Sequence, residues 1–98
     1  MYRGTTPTNT FSVDVDCTSA ESIYITYSQH GKTIIEKTIA DITVTAKEMT
    51  VVLTQEETLR FRVAPVDIQI RVKFPDGKAI ASRIIGTNAD KILKEGVI

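Results

Sequence analysis

Apolar and polar side chains alternate along most of the chain, and this period of two is typical of strands that bury one face. The longest example is Val66–Phe74, where every even position is apolar and every odd position between them is polar. Pro75–Gly77 and a second β-leaning run, Lys78–Ile85, follow it. Because proline presets φ for a turn and glycine accepts positive φ, we predict an antiparallel hairpin closed by a type I turn with a glycine bulge.

This three-residue loop also predicts the register of the hairpin. The expected cross-strand pairs are Val72–Ile80, Ile70–Ser82 and Ile68–Ile84. Ser28–Lys32 has the same layout of two turn residues, a glycine and a lysine. We therefore predict the same loop there, with Ile25 opposite Ile35.

Shorter alternating runs predict five strands before the long hairpin. They lie at Phe11–Val15, Ile23–Tyr27, Lys32–Thr38, Ile42–Thr45 and Met49–Leu53. Thr54 and Glu57 have the spacing of a capping box, in which each side chain accepts a hydrogen bond from the other residue's backbone N–H. A short helical crossover is therefore expected at Thr54–Leu59, turning Leu59 and Phe61 inward.

Strands of this length, separated by turns every 8 to 12 residues, are typical of a sandwich or barrel. Thr, Ile and Val make up 36 of the 98 residues, and such β-branched side chains favour sheet over helix. We predict an all-β fold: an immunoglobulin-like antiparallel β-sandwich of about seven strands with the short crossover. A small barrel is the alternative.

The chain has the length of one domain, residues 1–98, with distinct segments at its two ends. Residues 1–9 are threonine-rich and predict a flexible lead-in. Residues 88–98 begin with Asn88, a helix-capping residue type, and include Gly96, so they predict a possible short C-terminal helix. This tail either packs on its own sandwich or docks on a neighbouring subunit. The candidate partner contacts are its apolar residues and one outward-facing tyrosine: Ile92, Leu93, Val97, Ile98 and Tyr24.

Charge and apolar content limit the classes of partner. Twelve basic and twelve acidic residues give a formal net charge of zero, which argues against nucleic acid as a partner. No apolar run approaches the roughly 20 residues of a membrane span, and the first residues contain no apolar stretch like that of a signal peptide. Cys17 is the only cysteine, so an internal disulfide is excluded.

Candidate catalytic and metal-binding residues are few. His30 is the only histidine and falls in a predicted turn. Asp14, Asp16 and Glu21 offer oxygen ligands for a hard cation, but a solvated strand face is the better explanation of the two aspartates. No catalytic grouping can be argued from spacing, so the sequence predicts a non-enzymatic protein with no cofactor.

Several segments, taken in order, resemble the N-terminal domains of phage baseplate upper proteins. The similar segments are Tyr2–Gly4, Thr10–Val15, Val52–Thr54, Gln55–Thr58, Asp67–Ile70 and Pro75–Lys78. The resemblance implies an immunoglobulin-like sandwich that makes assembly contacts and has no active site.

The leading functional hypothesis combines these observations. It is a structural protein of a phage or prophage particle, at the tail, neck or baseplate, which binds other virion proteins and itself. We expect it in the bacterial cytoplasm during assembly and then in the virion. The alternative is a ligand-binding module for carbohydrate or adhesion.

Overall fold

The computed structural model describes all 98 residues and shows eight strands and one short α-helix. A single 3-10 turn at Ile39–Asp41 joins two of the strands. The elements are β1 (Thr8–Ser12), β2 (Ser22–Gln29), β3 (Lys32–Thr38), β4 (Ile42–Val44), β5 (Glu48–Val52), α1 (Gln55–Leu59), β6 (Pro65–Lys73), β7 (Ala79–Ala81) and β8 (Ile85–Asn88).

The strands form two antiparallel sheets. One has the order β1-β5-β4, and the other has the order β3-β2-β6, with β7 and β8 pairing successive parts of the remaining edge of β6. These are the orders of strands B-E-D and C′-C-F-G in an immunoglobulin sandwich, with β7 and β8 sharing the place of strand G. Strand A is reduced to one parallel bridge between Tyr2 and Asp90. The predicted immunoglobulin-like sandwich is therefore confirmed.

The core lies between the sheets and comes from the inward positions that the alternation predicts. On β6 every even residue from Val66 to Val72 is buried, and β2 contributes Ile23, Ile25 and Tyr27. The tyrosine ring packs tilted against Phe61, with 6.1 Å between ring centroids. Burial raises the pKa of Tyr27 to about 12, although Asn9 Nδ2 donates a hydrogen bond of 2.7 Å to its hydroxyl, which favours the ionised form.

The hairpin after β6 has the predicted loop, but its register slips by one residue further along. Gly77 has φ of 89°, and Val72 pairs with Ile80 as expected. Ile68 pairs with Ile85 and not with Ile84, because the strand breaks between β7 and β8 at Ser82. This break also explains why there are eight strands in place of about seven.

Ser82 holds the broken strand against β6. Its N–H donates to the Ile70 carbonyl at 2.8 Å, and its hydroxyl accepts from Ile70 N–H at 3.0 Å. The hydroxyl thus replaces a backbone carbonyl in the ladder. The residues after Ser82 therefore pair with β6 one position further along than predicted. Ile84 turns outward, with 62% of its surface exposed.

The turn between β2 and β3 differs from the prediction. It has two residues, His30 at φ 51° and Gly31 at φ 75°, and Gln29 pairs with Lys32. Positive φ at both positions defines a type I′ turn, whose twist matches that of the flanking strands. The predicted pairing of Ile25 with Ile35 is wrong, because a bulge after Tyr27 places Ile35 opposite Tyr27.

The crossover helix has the predicted capping box. The Thr54 hydroxyl accepts from Glu57 N–H at 3.1 Å, and the Glu57 carboxylate accepts from Thr54 N–H at 2.9 Å. Lys37 Nζ of β3 lies 2.9 Å from the same carboxylate. Partial burial disfavours the charged form of Glu57, but the hydrogen bonds from Lys37 and Thr54 and the lysine charge outweigh it, so the pKa is lowered.

A buried glutamine fixes the segment between α1 and β6. Gln29 Nε2 donates to the carbonyls of Arg62 and Ala64 at 2.8 and 3.3 Å, and its Oε1 accepts from Arg62 N–H at 2.9 Å. The side-chain amide therefore replaces a strand partner for this segment. Only 3% of its surface is exposed.

The two ends of the chain differ most from the sequence expectations. The prediction of a C-terminal helix is wrong. Ala89 N–H donates to the Ala64 carbonyl, Asp90 N–H donates to the Met1 carbonyl, and the Asp90 carbonyl accepts from Arg3 N–H. Backbone groups that bond to other segments in extended conformation are unavailable to a helix. Within residues 1–9, expected to be a flexible lead-in, β1 begins at Thr8.

The first strand also ends earlier than predicted. It stops at Ser12, and Val15, expected on the inner face, has 47% of its surface exposed. Cys17, further along, is buried, and its Sγ donates to the Val15 carbonyl at 3.3 Å. Burial, with the charge of Asp16, raises the pKa of this thiol.

Candidate functional site

An open apolar groove of about 610 Å³ lies where strand A of an immunoglobulin sandwich would run. It separates β1 and the segment that follows it from β7 and the break before β8. Ten of its fifteen lining residues are hydrophobic. We call it the β1–β7 groove; it is lined by Thr10–Val15, Cys17, Met49, Ile70, Val72, Ile80–Arg83 and Ile85.

One side of the β1–β7 groove is a strand edge with unpaired backbone groups. Val13 N–H donates to the Lys47 carbonyl, and the Pro7 carbonyl accepts from Leu53. In an antiparallel pair, hydrogen-bonded residues alternate along the strand, so the odd residues of β1 bond to β5. Thr8, Thr10 and Ser12 therefore direct their N–H and C=O groups away from the sheet.

The edge of β1 carries fewer protective features than the other edges. Edges are commonly protected by charge, bulges or short length. β3 has a bulge on its paired side and carries Lys32, Glu36 and Lys37; β4 and β7 have three residues each; and the outer strand of the second sheet breaks at Ser82. β1 has five residues, TNTFS, and none is charged.

Charged residues flank the β1–β7 groove on both sides. Asp14 lines it beyond the end of β1, with Asp16 close by in sequence, and Arg83 lines it from the opposite wall. Hydrogen bonds from the Thr18 hydroxyl, at 2.7 Å, and the Thr18 N–H lower the pKa of Asp16, so this carboxylate stays charged. The groove therefore has an acidic end and a basic wall.

The candidate contact residues identified from the sequence separate into two places. Tyr24 lies on the outer face of the second sheet, 43% exposed, between Thr38 and Arg71 on the neighbouring strands. The others belong to the tail beside α1. Three of them are exposed: Leu93 at 93%, Val97 at 55% and Ile98 at 85%.

Ile92 differs from the other tail residues because it contacts its own domain. Its Cδ1 lies within 2.9 Å of the position that a Cβ on Gly4 would occupy, and Leu59 lies on the same side. Gly4 has φ of 69°, so both its backbone conformation and this close approach require glycine. Ile92 therefore anchors the start of the tail.

Few contacts hold the remainder of the tail. Arg3 donates to the Leu59 and Phe61 carbonyls at the end of α1 and also to the exposed Glu95 carboxylate, at 2.7 Å. Gln55 exchanges two hydrogen bonds with the backbone of Ile98. The sequence did not indicate these roles for Arg3 and Gln55, because both bond to residues distant in the chain.

The structure brings together no group of three or more His, Cys, Asp or Glu residues that could hold a metal ion. Asp14, Asp16 and Glu21 therefore do not form the cation site considered from the sequence. His30 lies in the exposed β2–β3 turn. No helix has the length and apolar character needed to cross a membrane.

Comparison with known proteins adds no relative: no family model, no curated protein and no solved structure matches the chain.

Proposed function

We propose that this protein is a non-enzymatic structural component of a phage or prophage particle, at the tail, neck or baseplate, that acts through protein–protein contacts. The observation that carries the proposal is the β1–β7 groove beside the uncharged edge of β1. The resemblance to baseplate domains supplies the particle context. Its partners are other virion proteins and further copies of itself, first in the host cytoplasm and then in the virion.

The physical basis is β-strand addition. A free strand edge offers main-chain hydrogen bonds to an incoming segment, and the adjacent apolar groove accepts its alternate side chains. Such contacts need no reacting group.

A particle-composition experiment tests the proposal. The chain, carrying an epitope tag, is expressed in the bacterium that bears its gene, the prophage is induced, and particles are purified by density gradient. We expect the tagged chain to sediment with the particles at a fixed ratio to the tail proteins. A chain found only in the soluble fraction, with particles of complete composition, would refute the virion role.

One observation favours the ligand-binding alternative. Tyr24 presents an exposed ring on a sheet face whose neighbouring strands place Thr38 and Arg71 beside it. A glycan array discriminates the two functions, with Tyr24→Ala as the test variant and Tyr2→Ala, also at an exposed ring, as its control. A glycan signal lost only in Tyr24→Ala would favour the alternative.

A further inference from the structure

We propose that residues Leu93–Ile98 of a second copy bind in the β1–β7 groove as an added strand, so that copies join head to tail. This inference rests on the proposed function and deepens it, because it names one partner and the two surfaces that meet. Three features of the molecule support it: an available donor segment, an acceptor edge of matching length, and charges that set the direction.

The donor segment is the most exposed apolar part of the chain. Leu93 and Ile98 are the two most exposed large hydrophobic residues of the protein. Burying side chains of this size in a groove removes apolar surface from water, which is favourable. Release of the segment breaks the exposed contact of Glu95 with Arg3, the two hydrogen bonds of Gln55 and the partial packing of Val97, while Ile92 keeps its place.

The acceptor edge has the length of the donor. Six extended residues span at most about 20 Å, and the five residues of β1 span roughly 17 Å. Thr8, Thr10 and Ser12 offer three N–H and three C=O groups to the added strand. The groove beside them supplies an apolar surface for every second side chain.

Side-chain alternation and charge select one orientation. In an extended tail Leu93, Glu95 and Val97 share one face, so two apolar side chains enter the groove with a carboxylate between them. Arg83 on the groove wall is exposed and makes no salt bridge within its own chain, and it can pair with that carboxylate.

The basic residues of the tail fit the acidic end of the groove. A strand antiparallel to β1 brings its own N-terminal end next to the C-terminal end of β1. Lys91 and Lys94 then approach Asp14 and Asp16. Opposite charges at this end favour the antiparallel orientation over the parallel one.

The donor and acceptor surfaces are different parts of the molecule. A contact between unlike surfaces is heterologous, so it either closes into a ring of two or more copies or continues as an open filament. A particle component present in repeated copies is suited to such a contact. The number of copies then depends on the rotation between neighbours.

The test uses two variants that each remove one surface. A chain ending at Ile92 lacks the donor and keeps the groove. Thr10→Pro removes one free N–H at the edge of β1 and keeps the donor; Thr10→Val, which retains that N–H, is its matched control. Thermal melts establish that each variant is folded, and Ser12→Pro, at another free N–H of the same edge, replaces Thr10→Pro if that chain does not fold.

Sedimentation equilibrium over a concentration series gives the readout. We expect the natural chain and Thr10→Val to rise in mean mass above 10.8 kDa, and each of the two variants to stay monomeric. Mixing the shortened chain with Thr10→Pro should restore one interface and yield a 1:1 dimer. Arg83→Glu should weaken self-association about fivefold, as loss of one exposed ion pair predicts, and Glu95→Arg in the donor copy should recover it.

Three results would overturn the inference. They are a natural chain that stays monomeric at millimolar concentration, association that survives in both variants, and a mixture that forms no dimer. None of these bears on the particle experiment, since a chain can enter a virion through other partners. Conversely, if the chain is absent from particles but the shortened chain and Thr10→Pro still form a 1:1 dimer, only the virion role is refuted.

Discussion

Replacing Gln29 with methionine should destabilise the protein more than its single position suggests. Methionine has a similar length and fills the same buried space, so packing changes little. The three hydrogen bonds to Arg62 and Ala64 are lost. The N–H and carbonyl of Arg62 then keep no partner in the fold, whereas the Ala64 carbonyl still accepts from Ala89 N–H. The segment that leads into β6 loses its attachment to β2.

The magnitude follows from the number and burial of these bonds. A buried backbone group left unpaired costs about 1–3 kcal/mol. Arg62 is exposed and Ala64 is half-buried, so water compensates part of the loss. We therefore expect a decrease of about 2–4 kcal/mol in the free energy of unfolding, which for a domain of this size corresponds to roughly 10–25 °C in Tm.

Urea unfolding followed by circular dichroism measures the effect, and Gln69→Met is the matched control. Gln69 makes one side-chain hydrogen bond, Nε2 to the Ser82 carbonyl at 3.0 Å, so the same substitution there should cost about 1 kcal/mol. If Gln29→Met were no more destabilising than Gln69→Met, the amide of Gln29 would not act as a substitute strand. In that case the connection would be held by packing alone.

Three further predictions concern charge and turn geometry. The lowered pKa of Glu57 means that its carboxylate stabilises the fold above the pKa of the unfolded chain, near 4.5, and that this contribution is lost as pH falls through the pKa of the folded protein. Glu57→Gln should therefore lower the free energy of unfolding by roughly 1 kcal/mol at pH 7 and by nothing in acid. A difference that stayed constant with pH would contradict the role of Lys37. Burial raises the pKa of Tyr27 from 10.0 to about 12, so its neutral hydroxyl stabilises the fold below pH 10. This contribution, roughly 2–3 kcal/mol, is lost as pH rises toward 12. Ultraviolet titration should show one tyrosine ionising late, and three tyrosines ionising together in the folded protein would refute this. His30→Asn should keep or raise Tm, while His30→Val, which strains φ of 51°, should cost about 1–2 kcal/mol; equal melting temperatures would exclude the type I′ turn.

The sandwich core could be predicted because side-chain alternation reports burial directly. Val66–Val72 and Ile23–Tyr27 lie inward as their period of two requires. The capping box at Thr54 and Glu57 could also be predicted, because both partners lie within one turn of chain. These features depend on neighbours in the sequence.

Register could not be predicted with the same success, because it depends on bulges that leave little trace in the sequence. His30-Gly31 and Asp76-Gly77 read alike, yet the first pair forms a two-residue turn with positive φ at both positions, and the second follows Pro75 in a longer loop. Ser82 likewise shifts its strand by one residue through a hydroxyl that bonds to β6. A side chain that replaces a backbone group looks like any other polar residue in the sequence.

The β1–β7 groove exists because of the route that the first residues take. Tyr2 bridges to Asp90, and Thr5 N–H donates to the buried Thr58 hydroxyl, so this segment runs past α1 and not along β1. Strand A is consequently missing at the position where it would cover Phe11 and Val13. No pattern within residues 1–9 indicates this route, since it is set by polar contacts with residues more than fifty positions away. The same contacts that order the lead-in therefore leave the edge of β1 open, and Thr58→Val, which removes the acceptor of Thr5 N–H, is expected to loosen the lead-in, measured as faster amide hydrogen exchange at Thr5.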